Sequence, residues 1–131
     1  DYLLVIDPSN AKAMARLAIL YSDQLGQPER GIMFAERARS LSPRMPEVLD
    51  ALGWSYYQAG RKEKAKEYLQ RSLKLGETMN AYVHLSQLLT DEGQLEKALD
   101  NLRIAQELAE DTYSVNSIKA LQDDIRSTQN N

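Results

Sequence analysis

The chain has 131 residues, 43% of them apolar and 27% charged, with a formal net charge of -3. That is the length and balance of one ordinary folded domain with enough apolar residues for a core, and the mild negative charge argues against nucleic acid as a partner, because phosphate binding needs a basic surface. There are no cysteines, which excludes disulfides, thiolate metal sites and cysteine nucleophiles, and no apolar run approaches the roughly 20 residues that cross a bilayer.

In chain order, the first element is "DYLLVIDPSN", residues 1–10. It reads as the end of a preceding repeat helix, with Pro8 and Asn10 at the junction. A helical stub this short is not stable alone, so the chain reads as a fragment of a longer array. Its opening Asp1-Tyr2 does not resemble the basic start of a secretory leader, which leaves a longer precursor open. Residues 11–45 hold a first helix pair, in "MARLAILYSDQLGQPERGIMFAERARSLSP".

Residues 46–78 hold the second pair. Its first helix is predicted from about Pro46 to Ala59, with Leu49, Leu52, Gly53 and Tyr56 on one stripe. Pro46 suits a first helical position, where its missing N–H costs nothing. Gly60 is expected to end the helix in a left-handed conformation. The second helix is predicted from about Lys62 to Leu75, with Ala65, Leu69, Ser72 and Leu73 inward. A third pair follows over 79–110. The last segment, 111–131, reads as a capping helix and a frayed tail, with Tyr113, Ile118, Leu121 and Ile125 as its apolar stripe.

The pairs are copies of one another. Leu52, Gly60, Ala65, Leu69 and Ser72 align with Leu85, Gly93, Ala98, Leu102 and Ala105, each 33 residues on. Upstream, Leu17, Tyr21, Gly26, Gly31 and Ala38 precede Leu52, Tyr56, Gly60, Ala65 and Ser72 by 35 or 34 residues, with one extra residue in "DQLGQ". Fixed-period self-similarity of this length marks stacked helical repeats.

"LGWSYYQAG" followed by Ala65, Leu69 and Ser72 resembles the tetratricopeptide repeat, with Leu52, Gly53, Tyr56, Gly60 and Ala65 at the family's signature positions. The outer copies depart from it: Ala18 and Ser86 stand where the glycine of the Leu-Gly pair would be. The resemblance implies an all-α fold, a right-handed superhelical solenoid of antiparallel helix pairs, with three repeats and the capping helix. It also implies a concave groove lined by the first helix of each pair. On that reading Tyr56 is core, while Asp50, Trp54, Tyr57 and Gln58, beside Glu47, face the groove. The equivalent positions are Lys12, Ala15, Ile19, Ser22 and Asp23 in the first repeat, and Asn80, Val83, Gln87, Thr90 and Asp91 in the third. Trp54 and Tyr57, flanked by Ile19 and Val83, then form an aromatic platform of the kind that dominates interface energetics. The other reading has Trp54 packed on a neighbouring repeat. Few lysines and asparagines line these positions, which argues against a clamp for acidic chaperone C-termini.

The chemistry-bearing residues form no catalytic set. His84 is the only histidine, without partners at metal-ligand spacing, and no glycine-rich phosphate loop is present. The expectation is therefore a non-enzyme without cofactor or metal, whose partner is another protein or peptide segment. The alternative is a structural spacer or self-associating module, of the kind the resemblance connects with bacterial envelope and exopolysaccharide export systems, in the cytoplasm or the periplasm. Self-association would set the basic stretch Arg61, Lys62, Lys64, Lys66, Arg71 and Lys74 against the acidic last third. The plainer account of that stretch is a solvated convex face.

Overall fold

A computed structural model describes residues 10–130. These form seven helices, α1 (Ala11–Asp23), α2 (Pro28–Leu41), α3 (Pro46–Gln58), α4 (Lys62–Leu75), α5 (Met79–Asp91), α6 (Leu95–Leu108) and α7 (Thr112–Gln129), and no strand among the described residues. Helices α1 to α4 belong to one compact unit and α5 to α7 to a second. The preceding-helix stub expected at the start of the chain lies outside the described residues.

Local chemistry sets where the helices begin and end. The Asn10, Thr78 and Asp111 side chains accept from the backbone N–H groups of Ala13, Ala81 and Ser114, which satisfies donors a helix start leaves orphaned. Pro28 and Pro46 open α2 and α3 in the first turn. At the far end of α3, Gly60 has φ +83° and lets the Arg61 N–H reach back to the Tyr56 carbonyl at 2.9 Å. Gly93 does the same after α5, with φ +79° and a 2.9 Å bond from Gln94 to Leu89. This is the reversed closing bond that a left-handed glycine permits. After α1 the bond runs from Gln27 to Tyr21, 2.8 Å, one residue wider. That is where the one-residue slip of the repeat is absorbed.

In the first unit, α1 packs on α2, α2 and α1 on α3, and α3 on α4. Leu17, Ala18, Ala35, Ala38, Val48, Leu52, Ala65 and Leu69 form its interior. Two small residues do more than make room. The Ser72 hydroxyl donates to the Pro46 carbonyl at 2.7 Å, tying the end of α4 to the start of α3. Gly53 faces Leu69 so closely that a methyl group there would lie 2.9 Å from Leu69 Cγ.

In the second unit, α5 packs on α6 and α6 on α7. Leu85, Leu88, Leu89, Ala98, Leu102, Ala105, Ile118 and Ile125 are buried. One expectation for α7 changes, and one buried position was not among those expected. Tyr113 is 82% exposed, and Gln122 is buried, its amide 3.4 Å from Gln106 Oε1. Helical spacing explains both. Ile118, Gln122 and Ile125 follow the i, i+4, i+7 stripe, whereas Tyr113 sits five residues before Ile118 and falls well off it. The helix holds to Gln129, whose amide donates to Glu96 at 2.6 Å. No described helix is long and apolar enough to cross a membrane.

One bond in this unit should be visible by titration. The Tyr82 hydroxyl donates to Glu77 at 2.7 Å. That hydrogen bond, then burial, pushes the Tyr82 phenol up to about 12. The folded state holds the proton more tightly than the unfolded chain, whose tyrosines titrate near 10. The stabilisation is therefore complete below about pH 10 and is lost as pH rises toward 12. Tyrosinate absorbance should show a late-titrating phenol that Tyr82→Phe removes.

Candidate functional site

The α1–α3 face of the first unit carries most of the expected groove residues. Asp23 ends α1 and Gln58 ends α3. One carboxylate oxygen, Asp23 Oδ1, accepts from both Trp54 Nε1 at 2.6 Å and Gln58 Nε2 at 2.7 Å. The ionised acceptor makes both bonds stronger than neutral ones. Trp54 and Tyr57, three residues apart on one helix, stack with ring centroids 4.8 Å apart and planes 16° apart. Both rings are half-buried. The two expectations for Trp54 thus meet in one side chain: its N–H is bound to the neighbouring repeat, and part of its surface stays open. Ile19 is half-buried, and Lys12 is exposed.

Three side chains expected in the groove are not open. Ala15 and Asp50 are each 2% exposed and Ser22 is 4% exposed. Helix α3 is packed by α1, α2 and α4, which leaves it a narrow open face. Ser22 turns inward to donate to Ser55 at 2.9 Å. Asp50, Trp54, Tyr57 and Gln58 are therefore not one uniform stripe. Asp50 belongs to the packing layer, and only Trp54, Tyr57 and Gln58 reach the surface.

Val83, Gln87 and Asp91 lie on α5, in the second unit; the first two are half-buried and Asp91 is exposed. Asn80 is exposed and His84 half-buried. No group of three or more His, Asp or Glu residues is placed to hold a metal among the described residues.

Sequence reasoning missed a second feature of the first unit. Tyr21 stacks on Phe34 at 5.3 Å, with Arg30 and Arg37 at 5.8 and 5.7 Å from the ring centroids. One repeat on, Tyr56 stacks on Tyr68 at 5.8 Å. Arg61 and Lys64 sit over Tyr56 at 5.8 and 5.2 Å, and Arg39 and Arg71 over Tyr68 at 6.0 and 5.5 Å. Each such contact is worth about 0.5–1 kcal/mol at an exposed site. Much of the basic run is therefore a lid on stacked rings rather than a free charged face. The signal was present: Tyr21 and Tyr56 are 35 residues apart, Phe34 and Tyr68 are 34 apart, and each is followed by bases three to nine residues later. The third repeat has Leu89 and Asn101 at these positions and lacks the device.

Comparison with known proteins agrees with the helix pairs. Family models described as tetratricopeptide repeat match residues 46–78 and 80–112. A TPR repeat-containing protein of Pseudomonas aeruginosa is 26% identical over 86 residues, 66% of this chain; the chain spans only 15% of that relative's length. Among solved structures, the Yersinia enterocolitica type III secretion chaperone SycD, in complex with a peptide of the translocator YopD, has a TM-score of 0.70 at 17% identity, over 89% of this chain and 92% of that one. A thermophilic TPR protein of Thermus thermophilus has a TM-score of 0.71 at 21% identity, over 92% of this chain and 68% of that one. At such identities the likeness establishes the fold alone.

Proposed function

The chain belongs to the tetratricopeptide-repeat family, and on that premise we propose that it is a non-catalytic protein-interaction scaffold that takes a segment of a partner protein on the α1–α3 face around Trp54 and Tyr57. The observation that carries this reading is the shared Asp23 carboxylate, which fixes the indole while the Tyr57 ring stacks against it. A half-buried aromatic pair held in place before a ligand arrives loses little side-chain freedom on binding. Tryptophan and tyrosine in that state are the residues that most often dominate interface energies. The SycD chaperone, of the same fold, was solved with a peptide of another protein, which supports a peptide-binding role by fold likeness. The mild negative charge favours a protein ligand over nucleic acid. Ile19 and Gln58 would border the contact.

Peptides selected from a displayed library against the wild-type chain supply the test. Against Trp54→Ala/Tyr57→Ala they should bind on the order of 10–100-fold more weakly, as for a central hot spot. Asp23→Ala should cost less, about 3–10-fold, because it frees the ring without removing it. Unchanged affinity in a double variant that keeps its helical dichroism would rule this face out. Self-association is the second reading, motivated by the basic α4 and the acidic last third. A mass that stays monomeric at every concentration and ionic strength excludes it.

A further inference from the structure

The geometry points to a second binding site, independent of the Trp54 face: we propose that the pocket at the C-terminal ends of α2 and α4 docks an acidic peptide segment that carries one aliphatic side chain. The pocket has a volume of about 290 Å³ and lies wholly within the first unit. Leu49 and Leu75 form its apolar lining, and Arg39, Arg44, Arg71 and Lys74 converge on it. Leu49 is 4% exposed and forms the floor.

The four cations are not equivalent. Arg39 is bonded to Glu36 at 2.8 Å and Arg71 to Glu67 at 2.8 Å, and both guanidinium groups flank the Tyr68 ring. These two are therefore held in place, with their charge partly matched. Arg44 and Lys74 make no ion pair or side-chain hydrogen bond with a described residue. The bland account is that Arg39 and Lys74, each in the last turn of its helix, offset the negative helix end. That account leaves Arg44 unexplained, and it does not require four cations over an apolar floor. A ligand that satisfies the whole arrangement needs carboxylates for Arg44 and Lys74 and a side chain for the space above Leu49. A bare anion would leave the floor empty, and a neutral peptide would leave the cations unmatched.

Fluorescein-labelled peptides of equal length test this by anisotropy at low and physiological salt. The probes are a Glu/Asp peptide with a central leucine, the same peptide with serine in its place, and a Gln/Asn peptide with the leucine. The acidic leucine peptide should bind, at least tenfold more weakly to Arg44→Glu/Lys74→Glu and several-fold more weakly to Arg44→Gln/Lys74→Gln. Either control peptide should also lose several-fold. Equal binding to the charge-reversed variant overturns the site. Equal binding of the serine peptide, or equal competition by inorganic phosphate, reduces it to an anion site and overturns the peptide assignment. Displacement by an excess of a peptide selected on the Trp54 face would place the acidic peptide there instead and overturn the inference while leaving that face intact. A concentration-dependent dimer that the charge reversal abolishes would make the occupant the acidic third of a second copy and likewise overturn it.

Discussion

Leu69→Ala is expected to lower the stability of the first unit by roughly 2–5 kcal/mol, the cost of truncating a fully buried leucine in a core that only partly collapses. Leu69 is 0% exposed and lies against Gly53 of α3. The pair makes the prediction specific. A methyl group added at Gly53 would sit 2.9 Å from Leu69 Cγ and 3.1 Å from the Ala65 carbonyl oxygen. Gly53→Ala alone therefore forces Leu69 to shift, at about 1–3 kcal/mol of overpacking, against about 1 kcal/mol of helix propensity gained. In Gly53→Ala/Leu69→Ala the new methyl enters space the leucine vacated. The double variant should be more stable than Leu69→Ala, with a clear non-additive term. Urea unfolding followed by far-ultraviolet dichroism reads all three. Additive losses would show that Gly53 and Leu69 do not share one packing site.

The repeat was readable because its determinants are local and recur. The boundaries of α4 fall at the expected Lys62 and Leu75, since Gly60 stops one helix and the apolar period restarts just beyond it. Helical phase placed Tyr56 inside and left Trp54 and Tyr57 partly open. What a single helix's phase cannot give is how many neighbours crowd it. Asp50 and Ser22 fall on the groove stripe by spacing, yet α3 is packed by three helices and both side chains are buried. The Asp23–Trp54–Gln58 bonds join residues 31 and 35 positions apart; the repeat aligned them, but the side-chain reach that joins them is tertiary. The basic run failed differently. Read one helix at a time it is a solvated face, and only the stacking of Tyr56 on Tyr68 across two helices shows what those cations cover.

Gly31→Val should be among the most damaging single changes in the first unit, at about 3 kcal/mol, the upper end of the overpacking range. Three helices meet at this point. A β-carbon on Gly31 would overlap the Ser22 hydroxyl of α1 and lie 2.9 Å from the Ser55 hydroxyl of α3. It would also lie 2.8 Å from the Ala18 carbonyl oxygen. The last of these is backbone and cannot rotate away. The second and third repeats carry Ala65 and Ala98 at the same position, so alanine is tolerable to the repeat; it is the Ser22–Ser55 hydrogen bond that fills the space here. Gly31→Ala should therefore be destabilising despite the roughly 1 kcal/mol of helix propensity it gains. Ser22→Ala should relieve part of that loss, because it removes the colliding oxygen at a cost of about 1 kcal/mol for the hydrogen bond. The Gly31→Ala/Ser22→Ala pair should then show a smaller loss than the two single changes added together. Since α1 and α3 also hold Asp23 against Trp54, Gly31→Val should shift the tryptophan emission even below the unfolding transition. If Gly31→Ala instead raises stability by its propensity gain alone, the three-helix contact is looser than these distances require, and the packing that sets Trp54 in place has to be sought elsewhere.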